Sequence, residues 1–172
     1  MNIKGNAVVL TNGKFDSKSA KTAHGLIRGS SRFNIVAVID SSFSEKYVHV
    51  DKNGKIDLLD NVSDIPIFKD FNSFLQSSLK VDYCIIGVAS AGGLLPDEMR
   101  DDVKLSLKNG ISIINGLHSI LNEDEELIEI SNQSNSKIFD IRASRPRNEL
   151  SFWSGKIYDV KVPKIVVLGT DC

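Results

Sequence analysis

Three arginines stand close together late in the chain: Arg142, Arg145 and Arg147, just past an apolar run at residues 138–141. Guanidinium groups gathered at the end of a strand suit a carboxylate or a phosphate, gripped by paired hydrogen bonds. The competing reading is a solvated linker whose charges face water. Upstream, Asn115, Gly116, Leu117 and His118 follow another apolar run. His118 has a side chain suited to moving a proton or donating a hydrogen bond, and it would equally cap a helix or satisfy a buried carbonyl. A third run ends in Ala89, Ser90, Ala91, Gly92 and Gly93. Residues this small let a ligand approach backbone N–H groups, although a tight turn is the simpler use of them. Lys21 and Thr22 open a helical stretch and suit an anion, through backbone N–H groups, the helix dipole and the ammonium; a solvated loop explains them too. Gly13 lies too far from Lys21 for a P-loop, and no GxGxxG is present. Asp40 ends a run where dinucleotide-binding folds keep an acid for a ribose hydroxyl, but acids also end strands as turn formers.

No metal is expected in this chain. His24, His49 and His118 share no metal-ligand spacing, and Cys84 and Cys172 lie far apart. The composition is that of an ordinary globular protein: 172 residues, 41% hydrophobic, 21 basic against 22 acidic, net charge −1. That near-neutral balance argues against nucleic acid as a partner. No apolar run approaches the roughly 20 residues that cross a bilayer, and residues 1–10 lack a signal-peptide layout, so a cytoplasmic protein with no membrane partner is expected.

The elements that must position these residues alternate. Residues 7–10 (AVVL), 35–39 (IVAVI), 83–88 (YCIIGV), 111–114 and 138–141 read as buried strands. Residues 18–28, 70–79, 96–109 and 124–131 carry helical spacing, with Pro96, Asp97 and Glu98 opening the third helix and Gly110 stopping it. Strands apolar throughout imply an α/β fold: an open parallel sheet with helices on both faces. Residues 47–59 differ, because Val48, Val50, Ile56 and Leu58 alternate around Asn53 and Gly54. A hairpin with both turn residues at positive φ is expected there, inserted at the sheet edge.

Several segments in order carry a resemblance. They are Ala20 to Leu26 (AKTAHGL), Gly87-Val88 with Gly92 to Pro96 (GGLLP), Gly110 with Asn115 to His118 (NGLH), Asp140 to Arg142 (DIR), and Gly169 to Cys172 (GTDC). Together they resemble the N-terminal, Rossmann-like domain of the domain-of-unknown-function 1611 family, whose members pair it with a P-loop domain and are described as D-glutamate N-acetyltransferases. The resemblance implies a front domain at residues 1–142, a connector at 143–163, and at 164–172 the first strand and opening of the P-loop of a C-terminal partner domain. Residues 164–168 (KIVVL) would then be disordered or pair with a sheet edge or a neighbouring chain. It further implies acetyl-CoA as acyl donor for the full-length protein, a nucleotide through the P-loop domain, a carboxylate-bearing small-molecule substrate, and a homo-oligomer. On that reading Lys21, Arg142 and Arg145 hold carboxylates, Gly92, Gly93, Asn115 and Gly116 line the pocket, and His118 is the candidate for proton transfer. The isolated chain would be inactive. The alternative is a non-catalytic Rossmann-like module holding a nucleotide or metabolite.

Overall fold

The computed structural model describes residues 3–43, 46–60, 64–145, 147–163 and 165. Eight strands form one sheet: β1 (Gly5–Leu10), β2 (Phe33–Ile39), β3 (Lys46–Val50), β4 (Ile56–Asp60), β5 (Ile65–Phe68), β6 (Tyr83–Ile86), β7 (Ser112–Asn115) and β8 (Ile138–Asp140). Their spatial order is β4-β3-β5-β2-β1-β6-β7-β8. Six neighbours from β5 to β8 run parallel, while β3 pairs antiparallel with both β5 and β4. Taken in order of appearance, the parallel strands lie third, second, first, fourth, fifth, sixth. That is the Rossmann arrangement, whose strand order reverses between β1 and β6.

Strand β1 explains why the sheet is buried on both sides. Val8 and Leu10 face one layer, Ala7 and Val9 the other, and all four are fully buried. The first layer packs helices α2 (Phe71–Leu75), α3 (Asp97–Lys108) and α4 (Glu125–Ser134) through Phe71, Phe74, Met99, Val103, Leu107 and Leu127. The second packs α1 (Lys21–Arg28) through Ala23 and Ile27, with Phe15 from the loop before it. Each of these side chains larger than alanine contributes roughly 1.5–3 kcal/mol when fully buried.

The structure departs from the sequence expectations at three places. Strand β5 was not expected, because it is four residues long and contains Pro66, whose missing N–H counts against a strand. It joins the hairpin to the core. In the hairpin turn, Gly54 alone takes a positive φ, +78°, and Asn53 does not. Gly54 N donates to Asp51 O, Asp51 N to Lys55 O, and the Asp51 carboxylate accepts from the amides of Asn53 and Lys55. The Asp51 cap makes this a turn with one left-handed glycine rather than a pair of positive-φ residues. Helix α2 stops at Leu75 rather than 79, where Gln76, Ser77 and Ser78 offer the backbone competing partners and Leu79 stays exposed.

Past β8, the described residues form only two short 3-10 turns, Arg147–Glu149 and Lys156–Tyr158, and Phe152, Trp153 and Tyr158 are exposed. The strand and P-loop opening expected at 164–172 lie outside the described residues except Ile165. Among the described residues, no helix is long and apolar enough to cross a membrane.

Candidate functional site

A cavity of about 590 Å3 opens at the carboxyl ends of β6 and β7. This is the β1–β6 side of the molecule, where the reversal of strand order leaves a crevice between loops. Its walls come from the loops after β6, β7 and β8, with Thr22 at the start of α1.

The β6 loop is shaped by its glycines. Gly92 and Gly93 take φ of +65° and +67°, a conformation other residues rarely adopt. A Cβ on Gly93 would lie 2.3 Å from Cδ2 of His118. The backbone N–H groups of His118 and Ser119 donate to Gly93 O at 2.8 and 3.0 Å. Ser119 Oγ in turn accepts from Leu95 N at 3.1 Å, and Ser90 Oγ donates to Leu94 O. Two loops far apart in sequence thus lock together, and the His118 ring rests against Gly93 Cα.

Beneath them lies a polar floor. Asn115 is fully buried. Its Nδ2 donates to Ser119 O and to Asp140 Oδ1, both at 2.7 Å, and its Oδ1 accepts from Leu117 N at 2.9 Å. Asp140 also accepts from the amides of Leu121 and Asn122 and from Asn122 Nδ2. With every side-chain oxygen and the Asn115 amide nitrogen engaged, both side chains build the loop.

Arg142 arrives from the end of β8. Its Nε donates to Gly116 O at 2.8 Å, and Nη1 lies 3.2 Å from Nε2 of His118. No described carboxylate lies within ion-pairing distance of this guanidinium. Among the described residues, the cavity lining holds this one cation, His118, and no acid. An anion is the ligand chemistry such a lining favours.

The remaining expected site residues divide clearly. Thr22, Gly92, Gly93, Gly116, His118 and Arg142 line the cavity. Lys21 and Arg145 are exposed and do not line it, because nearness in sequence to a lining residue does not fix where a side chain lies. The side chain of Arg147 lies outside the described residues. Asp40 is fully buried: it accepts from Thr11 Oγ1 at 2.7 Å, Phe15 N at 2.9 Å and Ser42 N at 3.0 Å. Those bonds fasten the β1 and β2 loops, so the ribose reading gives way to a structural one. Asp140 carries this loop without having been expected to from the sequence. The available signal was an acid ending a strand, the same signal that singled out Asp40. Cys84 in β6 is inert, since burial pushes its thiol up to about 12.

Residues 51–144 match the Rossmann-like domain described as a domain of unknown function, DUF1611_N. The chain belongs to this family. Every cavity-lining residue except Thr22 falls inside the matched span. A D-glutamate N-acetyltransferase from Pseudoalteromonas sp. is 32% identical over 88 residues, which cover 51% of this chain and 25% of that protein. The crystal structure of a DUF1611 family protein from Anabaena variabilis superposes with a TM-score of 0.72 at 28% identity, covering 91% of this chain and 42% of that one. The chain therefore spans a quarter of the curated relative and less than half of the solved one.

Proposed function

We propose that this domain supplies the acidic-substrate site of an N-acyltransferase acting on an acidic amino acid, with D-glutamate as the leading candidate and acetyl-CoA as the acyl donor. The observation that carries this reading is the cavity lining, which among the described residues has one guanidinium, one imidazole and no carboxylate. Arg142 holds a substrate carboxylate by charge-assisted hydrogen bonds, worth roughly 1.5–3 kcal/mol. As the substrate nitrogen bonds to the acyl carbon and the thioester C–S bond breaks, the nitrogen must lose a proton, and His118 is the cavity group able to take it. The 32% identity to a D-glutamate N-acetyltransferase supports the choice of substrate. The remaining length found in the relatives would hold the acyl donor, so turnover belongs to the longer protein and binding to this domain.

A second reading, a non-catalytic module for a nucleotide or metabolite, is favoured by the cavity's position and size. About 590 Å3 falls within the roughly 300–1,000 Å3 of small-molecule and cofactor sites, and a phosphate suits Arg142 as well as a carboxylate. Assay of acetyl transfer from acetyl-CoA to D-glutamate, in a protein carrying this domain with the full length of its relatives, separates the two. N-acetyl product that falls at least tenfold with His118→Ala supports the enzyme. Ligand-dependent thermal stabilisation with no product in either protein supports the module.

A further inference from the structure

Arginine is only ever a donor, so the contact between Arg142 Nη1 and His118 Nε2 fixes the direction of that hydrogen bond. Nε2 must accept. His118 is therefore neutral there, with its proton on Nδ1 and its lone pair on the nitrogen that faces Arg142. The ring has little freedom to escape: Gly93 presses on one side, and His118 N is tied to Gly93 O at 2.8 Å. The guanidinium is anchored separately, through Nε to Gly116 O at 2.8 Å. Of its five N–H groups two are engaged in this way, which leaves three with no partner among the described residues.

We propose that Arg142 is a positioning residue for His118 as well as the anion grip: it selects the Nδ1–H tautomer, and a carboxylate engaging the free N–H groups draws Nη1 away and releases the Nε2 lone pair towards the ligand. This rests on the carboxylate-site reading above. A carboxylate competes well for Nη1, because a charge-assisted bidentate pair is stronger than a bond to a neutral imidazole. The base is thereby exposed at the moment the substrate arrives, and it is covered by a cation otherwise.

The chain carries its own controls. It has three histidines. His24 Nε2 lies 2.7 Å from Phe15 O, an acceptor only, so His24 must be Nε2–H. His49 Nδ1 lies 2.8 Å from Asp64 Oδ2 and must carry its proton on Nδ1. Ring 15N chemical shifts of the histidine-labelled chain at fixed neutral pH read all three, with His118→Gln assigning the third set. The expected result is an imine-type Nε2 signal for His118 in the wild type. That signal should move to Nδ1 in Arg142→Ala and stay on Nε2 in Arg142→Lys, which keeps a donor. Addition of D-glutamate should shift His118 Nε2 in the wild type and leave His24 and His49 unchanged. Ring signals of His118 identical in wild type and Arg142→Ala overturn the tautomer assignment. Calorimetric binding of D-glutamate with an unmoved His118 overturns the release step while leaving the carboxylate site standing. Absence of D-glutamate binding to the wild type overturns the carboxylate reading and the release step with it, and the Arg142→Ala comparison still decides the tautomer.

Discussion

The two sides of the crevice are built in opposite ways. On one side, the loop after β1 is closed by its own bonds: Asp40 takes the Thr11 hydroxyl and the amides of Phe15 and Ser42, Phe15 is buried beneath, and His24 holds Phe15 O. On the other, the loops after β6, β7 and β8 leave His118 and Arg142 in the open with an unfilled set of N–H donors. Dinucleotide-binding folds place a glycine-rich phosphate turn after the first strand. Here that position is spent on structure, with Thr22 reaching the cavity from the start of α1, and the charged and titratable groups able to meet a ligand lie across the switch point. Shared strand order leaves the working corner undetermined; that is set by where hydrogen-bonding capacity remains unspent.

Substitutions that separate the two corners test this contrast. Asp40→Ala should have the largest effect on stability. It removes the acceptor of the buried Phe15 amide and of the part-buried Ser42 amide, while Thr11 Oγ1 keeps Ile39 O, and should cost about 2–4 kcal/mol in urea denaturation; a loss below about 1 kcal/mol would mean that the closed corner is not held by this carboxylate. Next comes Gly87→Ala. Its Cβ would lie 2.4 Å from Val9 Cγ1 and 3.0 Å from Ala23 Cβ, where the start of α1 meets the end of β6. A Tm decrease corresponding to about 1–3 kcal/mol is expected. At the open corner the pattern should invert. Arg142→Gln should change stability by no more than about 0.5 kcal/mol, yet weaken carboxylate binding roughly tenfold to a hundredfold.

How far the site could be read from the chain follows the same division. Gly92, Gly93, Gly116, His118 and Arg142 were legible, because small residues and chemistry-bearing side chains just after strands of a parallel sheet fall at one edge of it. Asp40 and Asn115 were legible as polar residues but their use was not, since their partners come from loops 25 or more residues away or from backbone amides without sequence signature. Lys21 and Arg145 share the right neighbourhood in sequence, and only the path of the chain shows that they point elsewhere. Strand β5 was hidden by Pro66, because local propensity counts against a strand that its neighbours β2 and β3 nevertheless hold in place.

Smaller effects sharpen the picture away from the crevice. Arg100 bridges Asp124 and Glu126, and Lys104 also reaches Glu126, tying α3 to α4. The Arg100 guanidinium beside Asp124 holds that carboxyl below its usual range. A depressed carboxylate contributes stability that is fully present above its ordinary value and lost as pH falls through the lowered one. Acid unfolding curves should therefore be shallower for Arg100→Gln, whose stability at neutral pH is already reduced by up to about 1 kcal/mol. Asp102 behaves in the opposite sense: burial first, and then the charge of Asp70, push its carboxyl up. The charged form is the disfavoured one, so Asp102→Asn should raise stability by roughly half a kcal/mol at neutral pH. That gain should shrink as the pH falls through the raised value and be gone below the ordinary carboxylate value.

The central claim is that the open corner is an anion site operated by Arg142. Calorimetric titration of D-glutamate into the wild-type chain, Arg142→Gln and Asp102→Asn tests it most directly. Saturable binding to the wild type and Asp102→Asn, weakened at least tenfold in Arg142→Gln with the fold intact, is the predicted result. Equal binding to all three proteins, or none to the wild type, would contradict it.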